Sequence, residues 1–400
     1  MKVLGIETSC DESAVCLIEG EGDFGPDFRF KVLGNALASQ ASIHAQYGGV
    51  FPNIAKREHA KALVPLLEHA LHDAGMAAVR ADSEPATSER IASLLSREPE
   101  LWSALEPFLR NHAKPDIDCI AVTAGPGLEP ALWVGVNFAK ALSIAWDIPL
   151  VAVNHMEGHI VVSLMRHENE ESRIKNREEG QIQDFEFPLL ALLISGGHTE
   201  LVVSRSFGEY EVVGRTRDDA AGEAFDKVAR MLGLPYPGGP HISALAEESR
   251  MKNEESKLKL PRPMLHEDNY DFSFSGLKTA VRKLVEAVGG ENISADQKRG
   301  IAREFEDAVA DVLVEKTLRA VDAYGINTVV VGGGVSANTF IRARLGEALA
   351  REGGIAKLLV PPSELATDNA LMIALAGYFH AAKKEFATID SLRADGNLSL

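Results

Sequence analysis

The sequence predicts a mixed α/β chain of two domains in which one structural plan is used twice. Three observations point there. A strand, a small polar turn and a second strand occupy Lys2–Ile6, Glu7–Ser13 and Ala14–Ile18, and the same device returns at Leu189–Ile194, Ser195–Thr199 and Glu200–Ser204. A strand, a glycine-bearing turn and a helix occupy Cys119–Thr123, Ala124-Gly125-Pro126-Gly127 and Pro130–Ile144, and return at Thr328–Val331, Gly332–Asn338 and Thr339–Arg351. Finally, 400 residues exceed what one hydrophobic core usually supports.

Each element carries a chemical expectation. Gly, Ser and Thr at a hairpin tip let backbone N–H groups approach an anion, as phosphate cradles do, although any β-turn favours the same residues. A glycine turn feeding a helix leaves space for a ligand beside unpaired N–H groups and the positive end of the helix dipole. Neither turn follows Gly-x-Gly-x-x-Gly, and no Gly-x-x-x-x-Gly-Lys-Ser/Thr occurs, so Rossmann and P-loop readings lack support. Two duplicated α/β domains with these turns resemble the actin, sugar-kinase and Hsp70 superfamily. That resemblance implies ribonuclease H-like domains with a nucleotide held in a cleft between them.

The expected division is 1–165 for the first domain and 166–369 for the second, with residues 370–400 returning to the first. Gly75–Pro115 reads as an insertion, with Pro, Ser, Thr and Glu near Ser83–Glu89 followed by the amphipathic Ile91–Asn111. His167–Asp184 is charged and reads as a solvated linker. Glu247–Asp271 reads as an exposed excursion, Ala382–Leu400 as a polar tail. Gln297–Ala323 is an amphipathic helix with Ile301, Phe305, Val309 and Val312 or Leu313 on its core face.

Bulk composition narrows the partners. A formal net charge of -17 argues against a protein that grips nucleic acid unaided, because that affinity comes mainly from Lys and Arg neutralising phosphates. Cys10, Cys16 and Cys119 are too few for a disulfide framework and read as free thiols in a reducing compartment. No apolar run reaches the length of a membrane span, and no secretory or Arg-rich leader opens the sequence. A cytoplasmic protein is expected, or an organellar matrix protein if a presequence has been removed.

The chemistry centres on Asn154-His155-Met156-Glu157-Gly158-His159. Residues four apart share one helix face with roughly 5–6 Å between their Cβ atoms, so His155 and His159 can both reach one ion. Such a pair also occurs on core or surface helices that bind nothing. Asp368 is the best candidate for a third ligand, in the polar turn between Pro361-Pro362 and the apolar helix Ala370–Phe379. His/His/carboxylate ligation with open positions suits zinc or ferrous iron.

These residues belong to a longer series of blocks. The series runs Gly5-Ile6-Glu7-Thr8-Ser9-Cys10-Asp11-Glu12, Tyr47-Gly48-Gly49-Val50, Thr123-Ala124-Gly125-Pro126-Gly127, His155-Met156-Glu157-Gly158-His159 and Ser195-Gly196-Gly197-His198-Thr199. It continues with Asp218-Asp219-Ala220-Ala221-Gly222-Glu223-Ala224-Phe225-Asp226-Lys227, Pro237-Gly238-Gly239-Pro240, Phe272-Ser273-Phe274-Ser275-Gly276-Leu277-Lys278 and Gly332-Gly333-Gly334-Val335-Ser336-Ala337-Asn338. In this order and over nearly the whole length, the chain resembles the TsaD family, which adds a threonylcarbamoyl group to tRNA.

The resemblance implies that His155, His159 and Asp368 bind a single metal, iron(II) or zinc. It implies that Leu193, Ile194, Ser195, Gly196 and Gly197 touch the phosphate and acyl portion of the substrate, and that Asp226 and Gly239 lie near its ribose. Asn338 is implied as the contact after the triple glycine. Read on their own chemistry, Asp226 could pair with Lys227 or Arg230, Gly239 could make its turn, and Asn338 could cap the next helix. Asn154 stands where bacterial relatives commonly carry a further His, Asn53 where Glu is frequent, and Pro130 where Gly is frequent.

The implied reaction transfers threonylcarbamoyl from threonylcarbamoyl-AMP to the N6 amine of adenosine 37, beside the anticodon, in tRNAs reading codons that begin with A, releasing AMP. The implied partners are tRNA and either accessory subunits or a second copy of the chain. The general base is not identified by sequence; His198 is one candidate, and a structural turn histidine is the other reading. Two other classes stand beside this one. A kinase or ATP-driven switch of the same superfamily accounts for the turns but not for the histidine pair. A metallopeptidase accounts for the pair, but zincins place Glu directly after the first His, where Met156 stands here.

Overall fold

The computed structural model describes residues 1–79, 88–167, 179–252, 258–290, 293–351 and 356–400. It separates into two compact units: Met1–Ile43, Val50–Asp184 and Asp368–Leu400 form the first, His44–Gly49 and Phe185–Thr367 the second. Where sequence placed the break after residue 165, the first unit runs on to Asp184. The reason is β-pairing: β6 (Met165–His167) and β7 (Glu179–Ile182) pair with each other, and β7 pairs with β3 of the first sheet. The charged stretch between them, and the Pro/Ser/Thr/Glu stretch near Ser83–Glu89 except for its last two residues, lie outside the described residues.

In the first unit β1 (Lys2–Glu7), β2 (Glu12–Glu21) and β3 (Arg29–Ser39) form an antiparallel meander. β4 (Cys119–Gly125) adds parallel to β1, and β5 (Leu150–Asn154) parallel to β4. The sheet order is β5-β4-β1-β2-β3-β7-β6. In the second unit β8 (Leu189–Ile194), β9 (Thr199–Ser206) and β10 (Glu209–Arg215) repeat the meander, and β11 (Thr328–Gly332) and β12 (Lys357–Leu359) repeat the parallel additions. Its order, β10-β9-β8-β11-β12, reproduces β3-β2-β1-β4-β5. Both units therefore carry the duplicated actin-like, ribonuclease H-like α/β plan that the paired devices predicted.

The strands next to the crossovers are buried on both faces, which is why β4, β8 and β11 read as near-continuous apolar runs. In the first unit, side chains at alternate positions face opposite ways. Leu4, Ile6, Val15, Leu17, Ile120 and Val122 join one core with helices Pro52–Asp73 and Glu129–Trp146. Gly5 and Ala121 face the other way, against helix Ala370–Ala382. That contact leaves no room for side chains: a Cβ at Gly5 would lie 2.5 Å from the Ala370 carbonyl oxygen, and one at Gly377 would lie 2.3 Å from the Ala121 Cβ. Backbone thus lies directly on backbone, which fixes where this helix begins.

Two stretches are more firmly built than sequence indicated. Ile91, Leu95, Leu101, Leu105 and Phe108 of the expected insertion are buried in the first core, and so are Leu392 and Ala394 of the expected tail. Glu247–Asp271 is not simply exposed either. Its start ends helix Gly238–Met251, Leu260 is buried, and Arg262 bonds Glu304 and Asp311 of helix Ala295–Tyr324. That helix opens on a Ser294–Gln297 capping box and ends at Gly325 in a left-handed conformation, and it buries all five expected apolar positions.

Candidate functional site

The first unit assembles its site from chain segments far apart in sequence. β5 ends at Asn154, whose side-chain oxygen accepts from the N–H groups of Met156 and Glu157 and so caps helix His155–Ser163. Asn154 thus starts the helix. His155 is the first helical residue and His159 follows one turn later. Asn369 caps helix Ala370–Ala382 in the same way, through Met372 N–H, and Asp368 directly precedes it. The close packing of that helix on Gly5 and Ala121 delivers Asp368 to the histidines.

The three expected ligands converge. Asp368 Oδ1 lies 3.4 Å from His155 Nε2 and 3.2 Å from His159 Nε2. The two rings are edge to face with centroids 4.7 Å apart. One donor atom from each residue lies within 4.8 Å of the others. Donors bound at about 2.0–2.2 Å around a tetrahedral ion stand roughly 3.3–3.6 Å apart, which the two distances to Asp368 approximate, while the wider limit of 4.8 Å for the set means the two imidazoles would draw together around an ion.

Glu7 completes the arrangement, and sequence reading missed it. Its carboxylate is fully buried and accepts from Thr123 Oγ1 at 2.6 Å, from the Ser9 N–H and from His155 Nδ1 at 3.1 Å. A carboxylate can only accept, so Nδ1 carries the proton and Nε2 is the atom turned to Asp368. The signal was available in the alternation of β1, where Glu7 follows Gly5 on the face of helix Ala370–Ala382.

The electrostatics demand positive charge at the centre. Burial opposes a charge on His155, but the Asp368 and Glu7 carboxylates outweigh it and raise its pKa well above the ordinary histidine value. Burial, helped by the neighbouring His155, holds His159 below that value despite its bond to Asp368. Burial would raise Asp368, yet the two imidazoles hold it well below the usual carboxylate range. Either a proton or a cation must sit among these lone pairs. The buried Nδ1 of His159 has no hydrogen-bond partner among the described residues, so no acceptor orients this ring as Glu7 orients His155.

The second unit holds the other candidates. Leu193 and Ile194 are fully buried in β8, main chain included, and lie in register with Glu200 and Thr199 of β9. Ser195 Oγ accepts from the N–H groups of Gly197 and His198, and Ser195 N–H donates to the His198 carbonyl, which closes the turn on itself. Asp226 Oδ1 accepts from Gly238 N–H at 2.7 Å and fixes the start of the helix that carries Gly239. Gly196, Gly197 and Gly239 share a feature: a Cβ built on any of them meets nothing within 4 Å, and none has a left-handed φ. Neither packing nor a left-handed φ requires glycine there, as is also true of Gly25 and Gly334, and such open positions give room for a ligand to approach the main chain.

Asn338 is committed to the protein. Its amide donates to Ser243 Oγ at 2.9 Å and to Glu306 Oε1 at 2.8 Å, and its oxygen accepts from Ile341 N–H at 2.9 Å. The structure therefore gives this side chain the helix-capping role rather than a free amide for a nucleotide. Two other blocks hold one another. Asp218 accepts from Ser273 Oγ and from the N–H groups of Phe274 and Ser275. Asp219 bridges Lys227 and Lys278, and although burial opposes it, those two cations hold its carboxyl below the usual range.

Comparison with known proteins bears on what this arrangement does. The chain is 41% identical to the tRNA N6-adenosine threonylcarbamoyltransferase of Bacillus cereus over all of this chain and 96% of that protein. It is 42% and 41% identical to the proteins of the same name from Bacillus licheniformis and Bacillus subtilis, over 94% of this chain and 90% of each relative. Among solved structures, full-length HypF in a phosphate- and nucleotide-bound form superposes with a TM-score of 0.51 at 13% identity, over 96% of this chain and 55% of that longer one. That likeness concerns the fold alone. The family model TsaD, tRNA N6-adenosine threonylcarbamoyltransferase, matches residues 31–83 and 109–375, and the chain belongs to this family.

Proposed function

We infer that this protein transfers the threonylcarbamoyl group of threonylcarbamoyl-AMP to the N6 amine of adenosine 37 in tRNAs that read codons beginning with A, with release of AMP. The observation that carries the reading is the approach of Asp368 Oδ1 to within 3.4 Å of both imidazole Nε2 atoms, in a chain of this family. A divalent ion held by His155, His159 and Asp368, iron(II) in first place and zinc in second, supplies Lewis-acid stabilisation worth several kcal/mol.

The protein's own residues do the rest. Glu7 keeps the proton of His155 on Nδ1, and Thr123 and Ser9 hold Glu7 in place. The open glycines at 196, 197 and 239 admit the substrate's phosphate and ribose against main-chain N–H groups, a fixed dipole array that needs no reorganisation during the reaction. The target adenosine must be splayed from a single-stranded loop to present its amine, as chemistry on a base ordinarily requires. His198 stays a candidate base.

The acidic balance supports dependence on accessory subunits or a second copy of the chain for productive tRNA binding, with the cytoplasm as the working compartment. No helix among the described residues is long and apolar enough to cross a membrane. A peptidase reading lacks its base, because Glu157 is paired with His380 instead of facing the ligands. The test is mass spectrometry of tRNA nucleosides after incubation with threonylcarbamoyl-AMP and the partner proteins. Threonylcarbamoyladenosine and AMP are expected in equal amounts, and both should vanish with His155→Ala. Steady ATP turnover without nucleoside modification would favour the kinase or switch reading.

A further inference from the structure

Glu157 lies between the two histidines and is only 3% exposed. A carboxylate so placed costs several kcal/mol in lost hydration unless it is paired. Its Oε2 lies 2.6 Å from Nε2 of His380, in the last turn of helix Ala370–Ala382. On the other side of that ring, Nδ1 lies 2.6 Å from Oε2 of Glu385. The chain doubles back to allow this: Lys384 adopts φ 61, and Glu385 N–H donates to the His380 carbonyl. A neutral imidazole has one N–H, so a ring facing an acceptor-only carboxylate at each nitrogen is doubly protonated. Burial opposes that charge, but Glu157 and then Glu385 outweigh it.

Helix His155–Ser163 is therefore tied to one long helix on two of its faces. Glu157 lies about 200° around the axis from His155, roughly opposite the ligand face. The ligand face meets Asp368, just before the long helix begins, and the Glu157 face meets His380 near its end. Between the ties Gly158 rests on the long helix, where an added Cβ would lie 3.2 Å from the Met372 and Ile373 side chains. Every residue of the short helix is buried, so packing prevents free rotation and the two ties set its final angle about the axis. With Cα atoms about 2.3 Å from the axis and side chains reaching several ångströms further, a turn of about 20° moves a ring nitrogen by roughly 2 Å. Metal ligation tolerates about 0.2 Å.

We propose that the Glu157–His380 ion pair is a positioning element of the metal centre, fixing the rotation of helix His155–Ser163 so that His155 and His159 keep ligating geometry. This rests on the metal reading above. Glu157 and His380 touch neither the ion nor the substrate; they act through the helix.

Cobalt(II) titration of the chelator-stripped full-length protein tests it, because the visible absorption of cobalt reports coordination geometry as well as occupancy. His380→Leu is expected to weaken cobalt affinity about 10- to 100-fold, the range for outer partners of metal ligands, and to alter the band shape. His380→Gln, which can still donate to Glu157, should recover part of the loss. Glu385→Gln, a change at a side chain 54% exposed, should weaken affinity a few-fold, and it carries the comparison with His380→Gln if His380→Leu does not fold. Unchanged affinity and band shape in variants that merely melt earlier would overturn the proposal. Failure of the unaltered protein to bind cobalt is a different result and would overturn the metal centre itself.

Discussion

The Oε2 atom of Glu7, at the end of the first strand, lies 3.1 Å from Nδ1 of His155, the first residue of a helix that starts 148 positions later. This contact orients the ring, because an acceptor at Nδ1 leaves Nε2 to face Asp368. Glu7→Leu is expected to reduce metal affinity about 10- to 100-fold, as loss of such outer partners typically does. Glu7→Gln, which can still accept from Nδ1, should lose much less. Equilibrium titration with zinc against a competing chelator measures both, and equal losses in the two variants would contradict the orienting role.

Metal binding should release a proton near neutral pH. Without the ion, His155 carries a second proton, on Nε2, because Asp368 and Glu7 raise its pKa against the opposing effect of burial. The ion must displace that proton, so affinity falls as pH falls through the raised value. Calorimetric titration in buffers of differing ionisation enthalpy should reveal the release, and a pH-independent affinity would contradict it. The ion-free protein has its own pH window. The His155 contribution is fully present below the unfolded value of about 6.5 and is lost as pH rises through the raised folded value. The Asp368 contribution is present above about 3.9 and is lost as pH falls through its lowered one. His159, held below the ordinary value, acts the other way, its contribution being lost as pH falls below about 6.5, so chelator-treated protein should be most resistant to urea near the upper limit, where His155 is still charged and His159 still neutral.

Alanine at Gly196, Gly197 or Gly239 should leave stability unchanged or raise it by about 0.4–1 kcal/mol, since each added Cβ meets open space and none of the three φ values is left-handed. The same changes should raise KM for threonylcarbamoyl-AMP, because each methyl would enter the space that the proposed function gives to the substrate. Thermal melts beside steady-state kinetics check this. A clear loss of stability with normal KM would show that the glycines serve the fold.

Asn338→Ala should act chiefly on stability. The lost cap costs about 0.5–2 kcal/mol, and depriving the fully buried Glu306 of a donor adds about 1–3 kcal/mol. Asn338→Asp should be worse, since it keeps the cap but sets a second carboxylate against Glu306. Urea denaturation ranks the variants. A normal melt with a large rise in KM would restore the direct substrate contact.

Much of the fold was legible because the chain writes its plan twice. The strand-turn-strand and strand-turn-helix devices marked β1, β2 and β4 of one sheet and β8, β9 and β11 of the other, and the four-residue spacing of His155 and His159 put both rings on one face. What stayed hidden depends on distant packing. The alternation of β1 puts Glu7 on the same face as Gly5, but what that face packs against, and the partners Thr123 and His155 that hold the carboxylate, lie far along the chain. The pinning of Arg262 and the burial of Leu392 and Ala394 likewise come from contacts that no short window contains. Asn338 shows the reverse limit, because the same residue type suits a helix cap and a nucleotide contact, and only its neighbours Ser243 and Glu306 decide between them.

The most direct test of the central claim is the metal content of the purified protein beside His155→Ala, His159→Ala and Asp368→Ala, read by mass spectrometry of the elements with circular dichroism as the check on folding. One divalent ion per chain is expected in the unaltered protein, falling to background in each folded variant together with tRNA modification. Full metal content in all three variants, or tRNA modification by protein holding no metal, would contradict the account.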